Sequence, residues 1–212
     1  MLQFVREIPI LIVIQGALSS RRGFLFHLAA GFTKEIDPLS GMSVNLMLVD
    51  EWLKDLKTDL EATLFESSSE SVNHAFAEVM AVARLNLTEK AEKEGAQLAS
   101  LRFCEERGWS FSWSHEQSPE EMMFTYPHYI ESLPKNEKFD LLRVNFEWHR
   151  VQGCEADYQH EGFLLLKKLA QKEASELQNS LPSLLQTKLP SGSSLQNIEI
   201  EYLGANYKVA FK

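Results

Sequence analysis

Three side chains in the stretch FEWHRVQGCEADYQHEGF, His149, Cys154 and His160, have the types and spacing that come closest to a chemical site. Imidazole and thiolate are common donors to zinc and other transition metals, and Asp157 or Glu161 could complete a set of ligands. The three fall within twelve residues of one another. They make a weak metal candidate, because lone histidines near a strand end and a loop are more often surface residues. His27, on an apolar strand, reads as a hydrogen-bonded structural histidine. Trp109 and Trp113 read as core or interface residues, and Cys104 as a small buried apolar residue on a helix.

The elements that must position these residues follow from periodicity. Phe4 to Gln15 is rich in Ile and Val and predicts a buried strand. The small, polar run from Gly16 to Gly23 predicts a hairpin connection to a second strand, Gly23 to Ile36. Asp37-Pro38 and Gly41 mark a turn: Pro38 pushes Asp37 towards extended geometry, and Gly41 supplies the freedom to close. Leu46, Val49, Leu53, Leu56, Leu60 and Leu64 recur in steps of three and four, which predicts a helix over Asn45 to Phe65. A second helix is expected over Ser71 to Arg84. A third is expected from a Thr88 cap to about Glu106, with Gly108 as its stop signal.

Trp109 to His115 alternates strictly, with Trp109, Phe111, Trp113 and His115 on one face and Ser110, Ser112, Ser114 and Glu116 on the other. Met122 to Ile130 is its expected partner. Leu142, Val144, Phe146 and Trp148 alternate with polar residues in a strand ending near Val151. Phe163 to Leu181 predicts a helix ended by Pro182. Ile198 to Tyr202 and Tyr207 to Phe211 predict a closing hairpin. The expected class is α+β, an antiparallel sheet with helices packed on one side.

Composition narrows the function classes. The 212 residues are 44% hydrophobic, enough for a sizeable core without disulfides. Lys and Arg total 21 against 30 Asp and Glu, a net charge of −9, and no basic stripe with interleaved aromatics appears. Nucleic acid is therefore a poor partner. Cys104 and Cys154 form neither a disulfide framework nor a paired metal motif, so a reducing, cytoplasmic setting is expected. The N-terminal run Ile8 to Ile14 follows Arg6 as a signal peptide's would, but Glu7 and Pro9 interrupt it and no cleavage motif follows. It is also too short to span a membrane, so a first strand is the expectation.

One stretch carries a resemblance. Glu35, Ile36, Asp37, Pro38, Gly41, Met42, Asn45 and Leu46, in EIDPLSGMSVNL, are similar to the strand-to-helix junction of the 6-pyruvoyl tetrahydropterin synthase and 6-carboxytetrahydropterin synthase family. The resemblance implies a T-fold: a two-stranded hairpin, two helices and a second hairpin, closed into barrels through oligomers. Residues 1–132 look like one such unit, and residues 138–212 like a shortened, degenerate second one. A tandem T-fold that forms a homo-oligomer is thus expected.

For chemistry the resemblance implies a departure. Family enzymes bind zinc through a histidine on the first strand and an H-x-H pair opening the second. Counted back from Glu35, that pair falls on Arg22 and Phe24, and Leu2 to Gln15 contains no histidine. The family's D-H-x-x-L-N pattern after the first helix is absent from TDLEATLFESSS, and the cysteine expected between the first two strands is missing. No cofactor is expected. The family also uses a glutamate ending the third strand to hold the amino-pyrimidine edge of the pterin, since a carboxylate accepts two parallel N–H bonds. Glu116 lies at about that place, and Tyr202 at the corresponding place in the second unit.

Three functions are compatible with these residues. One is a pterin-synthase-like protein that binds a pterin or purine-like heterocycle without zinc chemistry. Another is an active pterin synthase or lyase with a rearranged metal site around His149 and His160. The third is a structural or interaction T-fold protein with no small-molecule ligand. The first is the expected one.

Overall fold

The computed structural model describes residues 2–16, 21–35, 45–66, 73–106, 108–117, 121–131, 141–150, 158–170, 174–186, 194–202 and 207–211. Contacts divide the chain into two units, Met1–Glu106 with Ser110–Glu120, and Arg107–Trp109 with Glu121–Lys212. The class is α+β, as the periodicities predict.

In the first unit, β1 (Leu2–Gln15) and β2 (Arg21–Lys34) pair antiparallel along their whole length. Helix α1 (Leu46–Ala62), the three-residue strand β3 (Leu64–Glu66) and helix α2 (Asn73–Lys93) follow. Strands β4 (Gln97–Glu105) and β5 (Ser110–Ser114) close the unit. The strand order is β3-β1-β2-β4-β5, antiparallel except where β3 runs parallel to Val13–Gln15.

Alternation decides which face is covered. Ile10, Ile12 and Ile14 of β1 and Phe26, Leu28, Ala30 and Phe32 of β2 are buried, while Val5, Leu11 and Leu25 point the other way and stay exposed. Phe32 meets Trp52 of α1 at 5.9 Å, and Phe26 meets Phe76 of α2 at 5.8 Å, so both helices lie on the buried face. α1 contributes Val49, Leu53, Leu56 and Leu60 from the predicted apolar face, whereas Leu46 is exposed and Leu64, past the helix end, is exposed in β3. On the free side of β1, beyond β3, Glu61 accepts the Leu11 N–H at 3.0 Å and Pro9 has no N–H to offer. Both features blunt an open strand edge.

The expected third helix is not there. α2 runs unbroken through Thr88, with Leu87 and Ala91 continuing the buried face of Phe76, Met80 and Ala83. It stops at Gly95, whose φ is 65°. The Gly95 N–H bonds to Glu92 O at 3.0 Å and the Ala96 N–H to Ala91 O at 2.9 Å, the paired bonds of a Schellman end. Residues 97 to 105 are then a strand. Its register against β2 shifts between Gly31 and Phe32, so buried Leu98 and Leu101 stand three apart and imitate helical spacing. Cys104 consequently sits on a strand and is only half-buried.

The shift depends on Gly31, where an added Cβ would press into the Ser100 hydroxyl. Gly31→Ala is expected to cost about 1 kcal/mol. The Ser100→Ala background should remove most of that cost in a thermal-unfolding cycle. Equal costs in both backgrounds would place the strain elsewhere.

The second unit contains β6 (Met122–Glu131), β7 (Leu141–Arg150), α3 (Tyr158–Ala170), α4 (Ala174–Leu185), β8 (Ser194–Tyr202) and β9 (Tyr207–Phe211). The strands run β6-β7-β8-β9, each pair antiparallel. Met122, Phe124, Val144, Phe146, Trp148, Ile198 and Ile200 are buried on one face, and Leu165, Leu166 and Leu184 of the helices are buried with them. α3 packs on β6 and β7, and α4 on β8.

Two differences from the sequence reading stand out here. β6, given to the first unit by sequence, groups with the second, which therefore has two strands, two helices and two strands. The single helix expected over Phe163 to Leu181 is two, and Pro182 lies inside α4 instead of ending it. Proline removes one intrahelical bond, but buried Leu184 extends the apolar face past it. Among the described residues no helix is long and apolar enough to cross a membrane, which says nothing about strands.

The turn that carries the family-like motif, residues 36–44, lies outside the described residues. Its flanks are described. Glu35 is exposed after β2, and the Asn45 side chain caps α1 by accepting the Met47 N–H at 3.0 Å.

Candidate functional site

Once residues 97 to 105 are a strand, the first strand of the second hairpin is β4, and the residue that ends it is Glu105. The helix expected there came from Leu98, Leu101 and Cys104, whose spacing looks helical. The stop at Gly95 and the alternation of Leu101, Phe103 and Glu105 were the signals that could have found the strand. Tyr202 ends β8, the first strand of the closing hairpin in the second unit.

Glu105 lies opposite Phe26 and is half-buried. Its backbone carbonyl accepts the Cys104 thiol at 3.6 Å. Among the described residues no ion pair or hydrogen bond reaches its carboxylate. Next to it stands an aromatic cluster. Phe26 meets Phe111 at 5.5 Å and Phe103 at 6.1 Å, both edge-on, and Phe103 stacks on Phe111 at 4.7 Å. Phe24 stacks on Phe26 at 6.1 Å and meets Phe76 edge-on at 5.3 Å. A carboxylate beside rings, with no cation paired to it among the described residues, can accept two in-plane N–H groups from a flat ligand.

The positions that the resemblance assigns to zinc ligands carry other chemistry. Arg22 is exposed, Phe24 is half-buried, and their partners across the strand pair are Ile14 and Ile12. None of these four side chains can donate to zinc, so the residues present do not fit the metal.

Glu116, the sequence candidate, lies in the exposed turn after β5, where Gln117 N–H bonds to Ser114 O at 3.0 Å. It does not end the strand next to β2. The alternation of that segment is partly kept: Trp109, Phe111 and Trp113 are buried, but Ser110 is buried too and His115 is exposed in the turn. Trp113 carries the Arg84 guanidinium over its ring at 5.6 Å, and Trp109 stacks on Tyr126 at 5.8 Å. Both tryptophans have packing roles. His27 is exposed on β2, opposite Pro9 and Cys104.

His149 lies on β7 with Nε2 3.6 Å from the Glu121 carboxylate. His160 falls in the first turn of α3, followed by half-buried Glu161. The His160 side chain, Cys154 and Asp157 lie outside the described residues, and Phe163 is exposed. Among the described residues no three His, Cys, Asp or Glu side chains gather as a metal site would require. No protein-family model matches the chain, and no curated protein matches it.

Proposed function

We propose that this chain is a tandem T-fold protein, similar to 6-pyruvoyl tetrahydropterin synthases, that binds a pterin or purine-like heterocycle without the family's zinc-dependent reaction. The observation that carries the proposal is Glu105: a half-buried carboxylate at the end of β4, with no partner among the described residues and an aromatic cluster beside it. A half-buried carboxylate that no described residue pairs keeps its acceptor oxygens open, and a ligand with two N–H donors fits them. The order of elements, a hairpin, two helices and a hairpin in the second unit and the same in the first apart from the three-residue strand β3 between its helices, supports the T-fold reading. Arg22 and Phe24 at the zinc-ligand positions support the loss of the reaction. A homo-oligomer goes with this reading, since joining sheet edges between copies pairs backbone groups that are otherwise open. So does a cytoplasmic setting, which two separate cysteines suit.

Thermal shift with neopterin, biopterin and guanine at millimolar concentration tests it. At least one should raise the unfolding midpoint of the wild-type protein. Glu105→Gln should weaken binding by about 1.5–3 kcal/mol, tenfold or more, because the substitution removes the charge and one acceptor. Glu116→Gln should bind as wild type does. A loss confined to Glu116→Gln would return the anchor to the turn after β5. No shift with any of the three would favour a structural or interaction protein.

A further inference from the structure

We infer that one sheet face of the second unit binds a hard divalent cation the size of calcium. The ligands are side-chain oxygens of Asn145 and Glu147 on β7 and of Asn197 and Glu199 on β8, on the face opposite the buried Val144, Phe146, Ile198 and Ile200. Register brings the four together. Asn145 lies opposite Glu199, and Glu147 opposite Asn197, so they form the corners of one rectangle. Its sides are about 5 Å across the strands and about 7 Å along them. The amides take one diagonal and the carboxylates the other. The centre is about 4 Å from each Cβ, within reach of a side-chain oxygen and a metal–oxygen bond.

Acceptors without donors gather there. Asn145 Nδ2 donates to Glu199 Oε1 at 2.9 Å, which fixes the orientation of that amide. Asn145 Oδ1 and Asn197 Oδ1 are both buried, and neither accepts a hydrogen bond among the described residues. A buried carbonyl oxygen with no donor is costly. Glu147 is half-buried between Asn197 and Thr125 of β6, and its carboxylate has no ion pair or hydrogen bond among the described residues either. Two neutral amide oxygens and a carboxylate are calcium donors, to which Glu199 adds a second carboxylate and water the remainder. Because amides supply half of the set, it needs no three His, Cys, Asp or Glu side chains. Zinc and copper favour nitrogen and sulfur, and this set has neither. β8 also bulges at Gln196, beside Asn197, since Glu147 pairs with Asn197 but Trp148 with Leu195. Bulges of this kind re-aim side chains.

Isothermal titration and thermal unfolding of the whole chain with calcium chloride, after treatment with a chelator, test the site. Wild-type protein should bind one Ca2+ per chain with a Kd of about 1 mM or tighter, and calcium should raise the unfolding midpoint. Mg2+ should bind about tenfold more weakly, because it demands octahedral geometry and gives up water reluctantly. Glu147→Gln, which keeps the shape and removes the charge, should weaken Ca2+ about tenfold. Asn197→Asp should tighten it by a similar factor and lower the midpoint of the chelated protein, since it brings a third carboxylate to the rectangle. A merely structural role would not move affinity in opposite directions. Glu161→Gln on α3 should bind calcium as wild type does.

Neither heat nor a midpoint shift at about 10 mM Ca2+ would overturn the site, with water left to satisfy the two amides. Calcium binding that neither Glu147→Gln nor Asn197→Asp alters would overturn it as well, by placing the cation elsewhere. Equal affinity for Mg2+ would contradict the assigned size. The rectangle shares no residue with the Glu105 site, so either can fail alone.

Discussion

Phe26→Ala is expected to lower the stability of the first unit by about 3–5 kcal/mol, the usual cost of emptying a buried aromatic site. Phe26 is fully buried and touches rings from three other elements, Phe76 on α2, Phe103 on β4 and Phe111 on β5. The cavity would open where strand and helix layers meet, and the flanking rings cannot all collapse into it. In a thermal melt this corresponds to a loss of more than about 10 °C for a domain of this size. Leu25→Ala is the matched control. Leu25 is 48% exposed on the opposite face, so its truncation should cost less than about 1 kcal/mol. A one-residue slip of β2 would exchange the two faces, and with them the two results. Equal costs at Leu25 and Phe26 would therefore contradict the register.

The second unit gives a prediction of similar size. Trp148→Ala should cost about 3–5 kcal/mol and remove much of the near-ultraviolet circular dichroism of that unit. Trp148 is fully buried, lies opposite Phe124 and Leu195 on its two neighbouring strands, and faces Phe146 at 6.3 Å. Its chain neighbour Glu147 points to the other face and is half-buried. Glu147→Ala should cost less than about 1 kcal/mol, and Trp148→Phe should recover part of the alanine loss. A mild effect of Trp148→Ala would mean that the core of the second unit is centred elsewhere.

The fold was legible wherever one periodicity ran uninterrupted. The alternation of Ile10, Ile12 and Ile14, the steps of α1 from Val49 to Leu60, and the alternating Val144, Phe146 and Trp148 each put the apolar residues on the face that the structure buries. It was illegible at β4, where the register shift beside Gly31 places Leu98 and Leu101 on one face three residues apart. A bulged strand and a short helix then give the same apolar pattern, and only the Gly95 stop separates them. Because that strand was read as a helix, the strand count moved by one, and Glu116 was placed at the end of a strand when it lies in the turn after β5. The same miscount gave β6 to the first unit and left the second a strand short. Of His149, Cys154 and His160, only His149 is described with its side chain, and it pairs with Glu121, a contact across strand β6's entry that no spacing in the sequence encodes.

The most direct measurement is a crystal structure of the protein grown with neopterin. The amino-pyrimidine edge should lie about 3 Å from the Glu105 carboxylate. Neopterin density with that edge on Glu116, or elsewhere with Glu105 uncovered, would contradict the account.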